Sequence, residues 1–332
     1  MEIAVVGGGI VGCAAAALLA ESDAQVTLYE RDRIAAGASG RNQGVLQHPL
    51  DDVLTPLYRE SLRLHAETAP ALHLERPPDG LLLVSGSPDT PREIAARVAA
   101  THPELEPVFL EDACTEEPAL APGVAACRLE TGHQIPPAAA TEAWAERARA
   151  AGARIVIGAA RRRAVDLTLI AAGPWSPVAV KPIWGVTASV QMAHPPRHAL
   201  EEAVIEEIAT MAGEVAPAFA AVTADGVTTI GATFLAAEPD HVRVAPTVLA
   251  RAADFLPGIA SAVLVGSRAC ARPVSPDGRP LIGRLAGDDN VWVATGNGPW
   301  GMSCGPATAR IAVDALFGRA PIPPELDVSR LG

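Results

Sequence analysis

The sequence is most constrained by its first thirty residues. An apolar run over residues 3–6 reads as a buried parallel strand. It meets Gly7-x-Gly9-x-x-Gly12, then a small-residue helix over 14–19, then a second strand over 25–29 that ends at Glu30. Strand, glycine turn, helix, strand and acid, in that order, are what a dinucleotide site requires. Gly7 permits the tight turn, Gly9 lets the backbone approach a pyrophosphate, and Gly12 lets the helix pack closely. The N-terminus of the helix offers unpaired N–H groups to phosphate oxygens, around Ile10 and Val11. Glu30 can accept from a free ribose 2′-hydroxyl, which selects FAD or NAD over NADP.

Composition narrows the class. The chain of 332 residues is 49% hydrophobic, with 29 glycines and 30 prolines, so it folds, as one large domain or two. No run of about 18 apolar residues is free of proline, glycine and charge, so no membrane span is expected. The N-terminus opens straight into a strand without a basic leader, which predicts no signal peptide and a cytoplasmic location. A net charge of −12 disfavours a long phosphate-contacting surface, so no nucleic-acid partner is expected. Cys13, Cys114, Cys127, Cys270 and Cys304 form no CxxC pair, and the eight histidines show no metal-ligand spacing. No metal is expected.

Further along, Ala38-Ser39-Gly40-Arg41-Asn42-Gln43-Gly44 is a loop of small residues and hydrogen-bond donors. Leu50, Val53, Leu54, Leu57 and Leu64 stand at helical spacing. Strands are expected at 81–84, 155–157, 167–171, 183–191, 218–223, 227–230 and 291–294. Asp225-Gly226 should form a tight hairpin. Helices are expected at 92–100 with Pro91 at the first position, at 138–151 stopped by Gly152, at about 246–255 and at 303–317.

Several motifs then line up in order. They are the glycine turn, the Ala38–Gly44 loop, Glu117-Pro118-Ala119-Leu120, and Leu169-Ile170-Ala171-Ala172-Gly173-Pro174-Trp175-Ser176. Ile230-Gly231-Ala232-Thr233, the 272–283 stretch and Gly296-Asn297-Gly298-Pro299-Trp300-Gly301-Met302 complete the set. With them the sequence resembles the FAD-dependent D-amino acid oxidase superfamily, glycine oxidase most of all. The resemblance implies an α/β protein, α+β overall. A Rossmann-type FAD-binding domain (1–78, 136–180 and 269–332) would be interleaved with a mainly antiparallel substrate domain (79–135 and 181–268). It implies FAD as cofactor, and oxidation of the C–N bond of a small amino acid by hydride transfer to flavin N5. Imine hydrolysis and reoxidation by O2 or another acceptor would follow.

The same resemblance assigns roles. Arg272 would anchor the substrate carboxylate through two parallel hydrogen bonds. Ser39 and Arg41 would serve phosphate oxygens, and Asn42 and Gln43 the ring edge, before Gly44. Gly298, Pro299, Trp300, Gly301 and Met302, ahead of a helix, would clamp the pyrimidine end, where the helix dipole stabilises negative charge. Arg31, Gly173 and Trp175 would lie along the ADP half. Cys270 falls where monomeric sarcosine oxidases carry a flavin-bonded cysteine, whereas its neighbours look like those of glycine oxidase, which holds FAD non-covalently; the latter is expected.

Three departures from the family stand out. The stretch 155–171 is short, and 159–165 is expected to be a tight turn in place of a longer meander, which leaves the adenine contacts unassigned. Ile135-Pro136 replaces Asp-Pro at a helix start, and Arg41 stands where some relatives attach FAD through histidine. Two other readings remain: an FAD-dependent oxidase of tRNA wobble uridine, and a non-catalytic FAD subunit of a hetero-oligomeric dehydrogenase. Homo- or hetero-oligomers are both open.

Overall fold

A computed structural model describes residues 1–158, 165–203 and 217–331. Along the described chain run β1 (Glu2–Val6), α1 (Ile10–Ala20), β2 (Gln25–Glu30), α2 (Ala38–Arg41), β3 (Val45–Leu46) and α3 (Thr55–Thr68). There follow β4 (Leu81–Ser85), α4 (Asp89–Thr101), β5 (Val108–Leu110), β6 (Ala125–Leu129), β7 (His133–Gln134), α5 (Pro137–Ala150), β8 (Arg154–Ile157) and β9 (Leu167–Ile170). The rest comprises β10 (Lys181–Gln191), β11 (Ala199–Glu202), β12 (Ala220–Ala224), β13 (Val227–Gly231), α6 (His241–Ala253), β14 (Val263–Val274), β15 (Leu281–Arg284), β16 (Val291–Thr295) and α7 (Gly301–Leu316).

Two sheets carry the site. One has six strands in the order β15-β16-β9-β1-β2-β8, parallel apart from the β15–β16 pair. Its centre, β1, turns Ile3 and Val5 into the core shared with α1, α5 and α7. Every residue of α1 is buried, and its run of alanines lets α5 and α7 pack close. The second sheet has eight strands, β14-β10-β13-β12-β11-β4-β6-β5, antiparallel except for β11 beside β4. Its far face is sealed by α6 and a core that includes Val186, Leu200, Phe219 and Ile230. Segments of the two sheets alternate along the chain, and residues from both line one cavity.

The described elements correct several sequence expectations. The helix expected from about 246 begins at His241, because Asp240 caps it by accepting from the Val242 and Arg243 N–H groups. Pro246 lies inside that helix. The helix expected from 92 begins at Asp89, and Pro91 sits in its first turn, where an N–H has no helical partner anyway. Leu50, Val53 and Leu54 precede α3 instead of lying in it, since the Asp51 carboxylate accepts from the Val53 and Leu54 N–H groups and holds a turn there. Strand β14, twelve residues long, was not anticipated; it is an edge strand, which tolerates Pro273. The Asp225-Gly226 hairpin is present, both residues at positive φ (50° and 74°), and Gly152 ends α5 at φ 96°. The tight turn expected over 159–165 lies almost wholly outside the described residues.

Candidate active site

The glycine turn is built as its spacing requires. Gly7 has φ 115°, and a Cβ there would meet the Ala171 carbonyl oxygen at 2.4 Å. A Cβ on Gly12 would stand 1.9 Å from the Gly7 carbonyl oxygen. Glu30, at the end of β2, accepts from the N–H groups of Gly8 (2.7 Å) and Asp32 (2.8 Å), which fixes its carboxylate beside the turn. Ser39 closes on the start of α1, its Oγ accepting from the Ile10 N–H at 2.9 Å.

From this turn a cavity of about 730 Å³ runs between the sheets. It is lined by Gly7, Gly9, Ile10, Val11, Glu30, Arg31, Ser39, Arg41, Asn42, Gln43, Gly44, Gly173 and Trp175. Arg272, Gly298, Pro299, Trp300, Gly301 and Met302 line it as well, as does Cys270. Gly12 does not; its work is to let α1 approach the turn. Trp175 stays 57% exposed at the rim, with the Arg31 guanidinium 5.5 Å from its ring centroid.

The Ala38–Gly44 loop is locked internally and from outside. The Asn42 amide donates to the Ala38 (2.8 Å) and Ser39 (3.1 Å) carbonyls, and its Oδ1 accepts from the Gly44 N–H (2.8 Å). Asn42 is therefore a brace within the loop. Gly44, at φ 90°, leaves no room for a side chain beside the Ile135 carbonyl. Arg268 of β14 donates to the carbonyls of Arg41 (2.9 Å) and Asn42 (2.8 Å) and to the Ser189 hydroxyl (2.8 Å). Burial pulls its guanidinium below the usual arginine range. Sequence reasoning did not single out Arg268; alternation along β14, which places it on the face of Cys270 and Arg272, would have found it had the strand been recognised.

Arg272 is aimed by its neighbours. It donates to the Thr233 carbonyl at 3.0 Å and stacks over Phe234 at 4.9 Å. Gly185 gives its guanidinium space, since a Cβ there would lie 2.6 Å from Nη2. Behind the cavity, α7 begins at Gly301, directing its free N–H groups toward the Trp300 turn. Its first turn is held by buried His65, whose Nε2 donates to the Met302 carbonyl (3.0 Å) while Nδ1 accepts from the Trp144 indole (3.3 Å). Burial lowers the His65 pKa to about 4, so the ring is neutral.

The residues present fit a flavin dinucleotide. The Gln43 side-chain nitrogen is buried in the cavity wall without a hydrogen-bond partner, and so is the Thr187 hydroxyl. Buried polar groups of this kind call for a ligand. Glycines at 7, 9, 298 and 301 leave the backbone open to it.

Elsewhere, the structure brings His48, His102 and Glu104 within 4.8 Å of one another. Nδ1 of His48 accepts from the Leu50 N–H and Nε2 meets the Thr55 hydroxyl, while Arg59 pairs with Glu104 at 2.9 Å. Among the described residues no helix is long and apolar enough to cross a membrane.

Comparison with known proteins agrees with this fold. The solved glycine oxidase of Bacillus cereus superposes with a TM-score of 0.79 at 20% identity, covering 97% of this chain and 96% of that one. The L-proline dehydrogenase of P. horikoshii superposes with a TM-score of 0.81 at 17% identity, over 99% and 97% of the two chains. A glycine oxidase of Pseudomonas aeruginosa is 41% identical over 73 residues, 22% of this chain and 20% of that protein. The tRNA 5-methylaminomethyl-2-thiouridine biosynthesis bifunctional protein of Chromobacterium violaceum is 48% identical over 77 residues, 23% of this chain and 12% of that protein. These sequence matches span a fifth or less of the relatives' lengths. The family described as DAO, FAD dependent oxidoreductase, matches residues 2–315, and the chain belongs to it.

Proposed function

We propose that the protein oxidises the C–N bond of a small amino acid, with Arg272 holding the substrate carboxylate. The observation that carries this reading is the guanidinium itself. It is oriented by a backbone carbonyl and an aromatic face, given room by Gly185, and lines the same cavity as the dinucleotide turn. A fork so held binds a carboxylate in one orientation, which presents the adjacent C–N bond reproducibly.

FAD, when bound, supplies the two-electron acceptor. Gly7, Gly9, Ile10, Val11, Ser39 and Arg41 would hold its phosphates, and Glu30 the ribose, with Arg31, Gly173 and Trp175 alongside. Asn42, Gln43 and Gly44 would flank the ring, and residues 298–302 would present N–H groups and the helix dipole to its pyrimidine end. We infer non-covalent binding; acid precipitation that left the flavin on the protein would instead indicate a bond to Cys270. On this reading the cofactor part comprises 1–78, 136–180 and 269–332, and the substrate part 79–135 and 181–268. The substrate loses two hydrogens across its C–N bond, and water hydrolyses the resulting imine to a carbonyl compound and an amine or ammonia. O2 or another acceptor then takes the electrons; hydrogen peroxide formation separates the two cases.

The test is anaerobic bleaching of the FAD-loaded protein with glycine, sarcosine, proline and D-amino acids. Bleaching by at least one is expected, and none by any would overturn the proposal. The Chromobacterium match favours a second reading, oxidation of an aminomethyl group on tRNA. Saturable tRNA binding at moderate salt would support it over the first.

A further inference from the structure

One half-buried cation behind the cavity wall has no acid beside it. Along β14 the side chains of Arg268, Cys270 and Arg272 fall on one face. Arg268 pairs across the sheet with Thr187, and cross-strand partners share a face. Thr187, Cys270 and Arg272 all line the cavity, so Arg268 belongs to the cavity side of the sheet. The Ala38–Gly44 loop covers it there, and the Arg41 and Asn42 carbonyls accept from its guanidinium. Its other acceptors are the hydroxyls of Ser189 (2.8 Å) and Thr229 (3.5 Å). These partners are all neutral, and among the described residues no carboxylate pairs with it. The neighbouring cation, Arg41, bonds the Ala269 carbonyl (3.4 Å) and brings no acid either.

A guanidinium drawn out of water and held by neutral groups keeps an uncompensated charge. A single peptide lies between that charge and the cavity. The Asn42 carbonyl shares its peptide plane with the Gln43 N–H, which a trans peptide directs the opposite way. Gln43 lines the cavity, and among the described residues its N–H has no hydrogen-bond partner. The bond from Arg268 polarises this peptide and strengthens the donor on its other edge.

We propose that Arg268 tunes the cofactor: its charge, behind the peptides of Arg41 to Gln43, makes bound flavin easier to reduce than free flavin. This rests on the placement of Asn42, Gln43 and Gly44 along the ring given above, and not on which amine is oxidised. In the oxidation, a hydride (two electrons and one proton) leaves a neutral amine for the neutral oxidised ring. The amine becomes a cationic imine and the ring an anion. A positive charge fixed beforehand in a wall of low dielectric favours that anion without reorganising. The cofactor's diphosphate carries the same charge in both redox states. A cation serving the phosphates alone would tighten binding and leave the potential where it was.

The experiment measures the reduction potential of FAD-saturated protein, by anaerobic reduction with dithionite against a dye of known potential. The wild-type value should lie above that of free FAD. Arg268→Met should shift the equilibrium against reduced flavin about tenfold or more, which is about 30 mV for a two-electron couple. Arg268→Lys, which keeps the charge and loses the fork, should retain most of the wild-type potential. An unchanged potential in the methionine variant overturns the inference and leaves Arg268 to the loop or the phosphates. An equal fall in both variants overturns it too, because loop position and not charge then sets the potential. A wild-type potential at or below that of free FAD overturns it without recourse to any variant. In each of these cases the proposed oxidation of an amino acid stands; failure of the protein to bind flavin removes both.

Discussion

A methyl group at Gly12 has nowhere to go: the Gly7 carbonyl oxygen would lie 1.9 Å away, and backbone cannot swing aside as a side chain can. Gly12→Ala should destabilise the protein by about 3 kcal/mol, measured by denaturant unfolding. Gly301 is different. Nothing lies within 4 Å of a Cβ there, and its φ is −55°. Gly301→Ala should leave stability unchanged or raise it by about 0.5 kcal/mol, while weakening FAD binding because the added Cβ enters the space through which the cofactor would approach the backbone. At Arg272 the expectation concerns the substrate. Arg272→Ala should raise KM about a hundredfold for any amino acid that bleaches the flavin, with the visible flavin spectrum retained. Arg272→Lys should not rescue it, because an ammonium cannot make the forked pair. An unchanged KM would remove Arg272 from the anchoring role.

At the scale of elements, the Ala38–Gly44 loop depends on a strand more than two hundred residues away. Arg268 ties two of its carbonyls to β14, so the loop's position is set by the eight-stranded sheet. Arg268→Met should leave the sheets paired yet raise the Kd for FAD about tenfold or more, followed by fluorescence quenching on titrating apoprotein. This tie also shows where sequence reading stopped. The glycine turn, its flanking strands and Glu30 were legible because their spacing is local: each residue serves a backbone conformation or a contact a few positions off. The helix termini at 89 and 241 escape local pattern because Pro91 and Pro246 lie inside a first and a second turn and not at a first position. Strand β14 was missed because Arg272-Pro273 punctuates it, and only its place at a sheet edge makes that harmless. Strand β11, Ala-Leu-Glu-Glu, carries no strand pattern at all; it is a strand because β12 and β4 flank it.

For the whole molecule, pH stability follows from buried histidines. His65 and His48 both have pKa values lowered to about 4, chiefly by burial, against an ordinary value of 6.5. The unfolded chain thus binds more protons than the native state below pH 6.5. Their contribution is fully present above that pH and is lost as pH falls from 6.5 toward 4, by roughly 3 kcal/mol for the fully buried His65. Unfolding midpoints in urea should decline over that interval, and His65→Asn should flatten the decline if the asparagine is accommodated between Trp144 and Met302. What the sequence alone determined is the dinucleotide half, since a strand, a glycine turn and a helix are short-range consequences of glycine's missing side chain and of apolar periodicity. The residues it singled out line the cavity, Gly12 excepted. Only the tertiary structure decided that Arg272 lines that cavity and that Arg268 fastens the loop. Those relations join residues tens to hundreds of positions apart, and strand order and register, which no local pattern encodes, bring them together.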